Sequence, residues 1–183
     1  AAAAASTHAA EPAPAASDPL PAWAARLTGP GSVRIAVPAP ENPRFAHLAW
    51  PKALRAPNGT IVLAYLAGIF HGAHAGTSPA VSLSTDGGHT FTPPKILREF
   101  DPQGDYTASG NLALGVAEDG AVVLLAMAYT GDAANNIYGW RSTDSGATWT
   151  AVDTSALGPN KTGSVTGNIL PVPGLRSEEH TSE

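Results

Sequence analysis

Two histidines stand three residues apart in the segment His71-Gly72-Ala73-His74. Imidazole titrates nearest to neutral pH, so such a pair can move a proton or, with a third donor, ligate a metal. No third ligand is spaced to complete a metal centre. The segment therefore reads as a polar, substrate-facing loop, and neither metal nor cofactor is expected. Asp105 and Tyr106 form a second candidate group. A carboxylate beside a phenol can accept from a ligand hydroxyl, and a turn role suits Asp105 equally well. Trp50 and Trp140 offer faces on which a ligand ring could stack, although an aromatic within a strand is more often core. The chain has no cysteine, which excludes a thiol nucleophile, a disulfide framework and Cys-ligated zinc.

The frame that positions these groups is bounded by length and charge. The 183 residues suffice for one domain or part of a larger one. With 10 Lys+Arg against 15 Asp+Glu the net charge is −5, so no basic field invites nucleic acid or an anionic membrane. The longest apolar runs, Ile61 to Phe70 and Ala121 to Tyr129, are too short for a membrane-spanning helix. Residues 1–25 are an Ala/Pro-rich tract that reads as a disordered leader or linker. Residues 176–183, Arg-Ser-Glu-Glu-His-Thr-Ser-Glu, resemble a translated sequencing adapter and are expected to lie outside the fold, the parent reading frame running on beyond them. The folded body is then 26–175.

That body repeats itself. Ser84-Thr85-Asp86-Gly87-Gly88-His89-Thr90-Phe91 returns 58 residues later as Ser142-Thr143-Asp144-Ser145-Gly146-Ala147-Thr148-Trp149. Asn58-Gly59 and Asp119-Gly120, each between apolar runs, are hairpin signals, because the tight turn needs positive φ. Asn111 recurs as Asn168, which favours a backbone-satisfying role for both and marks the start of a third copy. The runs Ile61 to Leu66 and Val122 to Met127 are continuous and apolar, as expected of strands covered on both faces. Four short antiparallel strands per copy, repeated radially, predict propeller blades.

The two octapeptides resemble the Asp box, the bacterial neuraminidase repeat of the sialidase superfamily. The resemblance covers roughly Val33 to Val172 and implies an all-β, partial sialidase-like β-propeller. About two four-stranded antiparallel blades are expected, plus the start of a third. In that family the Asp box is a peripheral turn between a blade's third and fourth strands, away from the active site. The residue types fit a turn: Asp86 and Asp144 accept from amides, and Gly88 and Gly146 take positive φ. The hydroxyls of Ser84, Thr90, Ser142 and Thr148 close the loop, while Phe91 and Trp149 bury a ring beneath it. Asp86 and Asp144 are accordingly structural, not an acid/base pair.

The resemblance also implies an arginine triad for a substrate carboxylate, a Tyr–Glu nucleophile pair and an Asp acid/base. At the place of the first arginine this chain has Ala49-Trp50-Pro51, with Arg44 and Lys52 the nearest cations. Where the acid/base would fall stand His71 and His74, and no carboxylate occurs between Asn58 and Asp86. The expectation is the N-terminal part of a secreted or periplasmic sialidase-like glycoside hydrolase, exo-acting on terminal sialic acid or a related sugar and inactive as it stands. A non-catalytic Asp-box propeller that binds a glycan or a protein is the alternative. Weak catalytic candidates are His71, His74 and Asp105; weak substrate-binding candidates are Arg44, Lys52 and Tyr106.

Overall fold

A computed structural model of the chain describes residues 35–72, 75–131, 133–157 and 167–169. The chain divides into two units, Ala1–Ile35 and Ala36–Glu183. Of the first, only Ile35 is described, and the fold is that of the second. The leader 1–25, the tail 176–183 and His74 lie outside the described residues.

Four strands make the first sheet: β1 (His47–Arg55), β2 (Ile61–Gly68), β3 (Ser78–Ser84) and β4 (Lys95–Ile96), antiparallel in chain order. The second repeats the pattern with β5 (Ala108–Val116), β6 (Val122–Thr130), β7 (Ala133–Ser142) and β8 (Thr150–Val152). A ninth strand, β9 (Gly167–Ile169), lies parallel to β5, giving the order β8-β7-β6-β5-β9. In a radial array the innermost strands of successive blades run in the same direction. A third blade therefore meets β5 in parallel, and β9 is the segment the repeat marks as its start. The sheets do not close into a ring. Among the described residues there is no α-helix, and no helix is long and apolar enough to cross a membrane.

The hairpins follow from the turn residues. Gly59 and Gly120 take φ of +91° and +84°, which only glycine adopts without strain. Asn58 Oδ1 accepts from the Thr60 amide at 3.0 Å, and Asp119 Oδ1 from the Ala121 amide at 3.2 Å. Strand alternation then sorts the side chains. Val62, Ala64 and Leu66 of β2 pack with Val81 against Leu112, Leu114, Val122, Leu124, Ala126 and Trp140 of the second sheet. Each fully buried leucine here contributes about 1.5–3 kcal/mol. The intervening residues of β2 do not face water either. Tyr65 and Ala67 form a second cluster with Phe45 and Ala80, against which Leu63 packs. Cover on both faces explains why β2 reads as one apolar run.

Candidate functional site

The two ends of the sheets differ in chemistry. At the hairpin end, each Asp box links the third strand of its sheet to the fourth, β3 to β4 and β7 to β8. Ser84 Oγ donates to Asp86 Oδ1 at 2.7 Å, Gly88 N to Ser84 Oγ at 2.8 Å, Thr90 N to Asp86 Oδ1 at 2.9 Å and Thr90 Oγ1 to Asp86 Oδ2 at 2.6 Å. The second copy repeats every bond: Ser142 to Asp144 at 2.7 Å, Gly146 to Ser142 at 2.7 Å, Thr148 N and Oγ1 to Asp144 at 2.8 and 2.6 Å. These donors stabilise the ionised carboxylates. The Thr148 hydroxyl, then its amide, then Ser142 hold Asp144 down at about 2, and the same groups around Thr90 and Ser84 push Asp86 still lower. A general acid needs a raised pKa, so neither residue serves as one. Phe91 and Trp149 are half-buried, not buried beneath the loop as expected. Trp149 instead lies against the inter-sheet core, its Nε1 donating to Gly146 O at 2.7 Å.

At the other end both inner strands are bulged. The register of β1 slips between Ala49 and Lys52, and that of β5 between Ser109 and Leu112. Bulges re-aim side chains and are frequent beside binding sites. Trp50 takes φ of +51°, a left-handed conformation costing roughly 1–3 kcal/mol in a non-glycine residue. Gly110 answers a different need. A Cβ there would lie 2.4 Å from Tyr129 Cε2, so the tyrosine ring can lie against this backbone only because the residue is glycine. Between the bulges opens a hollow of about 170 Å³, lined by Trp50, His71, Thr77, Ser109, Asn111 and Tyr129, with Leu66, Gly72 and Gly110 completing its wall. His71 lies exposed at the rim, its ring 4.2 Å from that of Trp50 and tilted by 37°. Thr77 and Ser109 tie the wall together: Thr77 Oγ1 donates to Ser109 O at 2.6 Å and Ser109 N to Thr77 O at 2.7 Å.

Of the residues singled out from the sequence, the hollow contains His71, Trp50 and Asn111. Asn111, expected from its recurrence to satisfy backbone groups, sits in the bulge of β5 and lines the hollow. Trp140, the other stacking candidate, is core. Arg44 is engaged elsewhere, donating to Phe100 O at 3.0 Å and paired with Glu99 at 3.4 Å. It borders a separate, shallow hollow with Pro43, Ile69, Asp101 and Pro102. Lys52 lies on β1 beyond the bulge and lines no part of the site. Asp105 is exposed and does not line the hollow; its backbone carbonyl accepts from Thr130 Oγ1 at 2.9 Å. Tyr106 stacks edge-on against Tyr138 at 5.7 Å, and its hydroxyl accepts from Asn136 Nδ2 at 3.1 Å. Tyr129, Thr77 and Ser109 were not foreseen. The available signal was Gly110, an isolated glycine within a strand, which marks a bulge or a close approach. Among the described residues no group of three or more His, Asp or Glu could hold a metal ion.

No family model matches the chain, and no curated protein matches it. Solved structures do. The Hadza microbial sialidase Hz136 aligns with 60% of this chain and 26% of its own, at 20% identity and a TM-score of 0.51. A protein of unknown function from Dyadobacter fermentans aligns over 62% of this chain and 37% of its own, at 22% identity and a TM-score of 0.47. The intramolecular trans-sialidase from Ruminococcus gnavus aligns over 61% and 28%, at 22% identity and a TM-score of 0.45. The likeness to Hz136 is one of fold: two blades and a third strand start of a sialidase-like propeller. The chain spans about a quarter of that sialidase's length.

Proposed function

We propose that this chain is part of a sialidase-like glycoside hydrolase, exo-acting on terminal sialic acid or a related sugar, and that the part in hand binds sugar without cleaving it. The observation that supports this is the hollow where the two inner-strand bulges meet, with aromatic rings on its walls and hydroxyl and amide groups between them. Sugars present a C–H face and a hydroxyl edge, and small-molecule sites of this kind pair flat apolar walls with a few polar groups. A secreted or periplasmic location goes with that reading.

Cleavage asks for more. Glycoside hydrolysis needs an acid/base and a second group, nucleophile or base, held at a set distance across one bond. Among the described residues, the titratable side chains of the hollow are His71 and Tyr129, and no carboxylate lines it. The same fact favours the second reading, a propeller that binds glycan without hydrolysing it. Intrinsic tryptophan fluorescence of the full chain, titrated with a sugar panel, tests the shared premise. A saturable change lost in Trp50→Ala is expected; a change that survives intact in that variant would overturn the assignment. Incubation with a fluorogenic sialoside should release no fluorophore. Turnover that His71→Ala, His74→Ala and Asp105→Ala together abolish would make those residues catalytic and the chain an enzyme as it stands.

A further inference from the structure

No Lys or Arg among the described residues lines the hollow, and its two buried hydroxyls are already committed as donors to backbone carbonyls. Thr77 and Ser109 are 2% and 3% exposed. The Thr77 hydroxyl donates to Ser109 O at 2.6 Å, and the Ser109 hydroxyl to Met127 O at 2.9 Å. What either oxygen has left for a ligand is a lone pair. A sugar hydroxyl can donate to that lone pair, whereas a carboxylate, which only accepts, is repelled by it. Asn111 adds an uncharged amide to the lining.

From this we infer that the hollow recognises the uncharged face of a pyranose and not a sugar carboxylate; the inference rests on the glycan-binding reading above and specifies its ligand. A carboxylate drawn into such a wall would lose water and meet neither Lys nor Arg, which is costly. The cations of the described sheets lie elsewhere. Arg44 is held by Glu99 and Phe100 O, Arg98 lies 4.2 Å over the Tyr138 ring, Arg141 pairs with Asp119, Arg55 donates to Gly59 O at the opposite end, Lys95 donates to Ala147 O, and Lys52 on β1 does not line the hollow. At the bulge itself, the backbone turns left-handed to present an indole, Trp50. An indole face stacks on C–H groups and carries no positive charge for a carboxylate. A volume of about 170 Å³ is below the roughly 300 Å³ at which sites for drug-sized ligands begin, so it seats one ring.

The test is calorimetric titration of the full chain with D-galactose, N-acetyl-D-glucosamine and N-acetylneuraminic acid. At least one neutral sugar should bind about tenfold more tightly than the acid, a ratio equal to about 1.4 kcal/mol. Its affinity should also be unchanged between about 0.05 and 0.5 M salt, since no ion pair is there to be screened. Trp50→Ala should abolish the heat, with a native circular dichroism spectrum at the titration temperature showing that the fold persists. Equal or tighter binding of the acidic sugar, or an affinity that falls with salt, would overturn the inference and leave the glycan-binding reading standing. If no sugar binds, the glycan-binding reading itself fails, and this inference with it.

Discussion

The hairpin end and the bulge end of the sheets are built from the same strands and differ in how faithfully they repeat. Both Asp boxes make the same four hydrogen bonds, and no distance differs between copies by more than about 0.1 Å. At the bulges the copies part company. One presents a strained tryptophan, the other Gly110 and Asn111. The loop chemistry of a turn must be solved once per blade and has one solution, so it recurs. A ligand meets the blades once, from one direction, so the residues facing it need not match. Repetition thus points to structure here, and its failure points to the site.

Several changes test that division. The largest effect should come from the core that both ends share. Leu124→Ala empties a fully buried position between the sheets and should cost about 2–5 kcal/mol. Urea denaturation should show the midpoint falling, with sugar binding and turn integrity lost in one transition. Loss of one end while the other persists would mean that the ends are separate folding units.

Gly110→Ala comes next. Its Cβ would meet Tyr129 at 2.4 Å, and overpacking of this kind costs roughly 1–3 kcal/mol. The tyrosine ring must leave the wall of the hollow, so sugar affinity should fall further than stability does. Amide chemical shifts at Gly88 and Gly146 should stay put. An unchanged affinity would remove Tyr129 from the site.

The hairpin end was legible from sequence and the bulge end largely was not, for a physical reason. An Asp box satisfies its own donors and acceptors within eight residues, so its chemistry can be read without knowing the fold. The hollow is assembled from β1, β2, β5, β6 and the β2–β3 loop, and it depends on where the pairing register slips. Nothing local to Trp50 distinguishes a bulged tryptophan from a core one. Thr77 and Ser109 meet across 32 residues of sequence. His71 was visible because imidazole is conspicuous; Tyr129, ending an apolar strand, was not. Arg44 looked available for a substrate because its partners Glu99 and Phe100 lie more than fifty residues away.

Acid should act on the hairpin end before the bulge end. Asp144 ionises at about 2 in the fold against 3.8 ordinarily. A carboxylate with a depressed folded pKa stabilises fully above its unfolded value and stops doing so as pH falls through the folded one. The contribution is therefore present above pH 3.8 and drains away towards about 2, with Asp86 following lower still. Both carboxyls are exposed, so water screens the effect and it should be smaller than that of either packing change. Thermal melts from pH 5 to about 2 should steepen in the natural chain and flatten in Asp86→Asn, Asp144→Asn, with sugar binding at neutral pH unaltered in the double variant. An identical pH profile for both chains would show that the boxes do not hold their carboxylates as described.

The smallest effect should come from the one place where the Asp boxes differ in backbone chemistry. Position four of the motif is left-handed in both, at φ +74° for Gly87 and +58° for Ser145. A left-handed L-residue carries about 1–2 kcal/mol of strain, while glycine gives back about 0.5–1 kcal/mol through the greater freedom of its unfolded chain. Ser145→Gly should therefore stabilise the protein by under about 1 kcal/mol, seen as a higher urea midpoint at constant slope. The reciprocal Gly87→Ser should destabilise by a similar amount, and by strain alone, since a Cβ at Gly87 meets nothing within 4 Å. The two shifts should be nearly equal and opposite if the turns are as interchangeable as their hydrogen bonds. A loss of stability in Ser145→Gly would mean that the serine hydroxyl makes a contact its counterpart lacks, and that the hairpin end, too, has begun to diverge between blades.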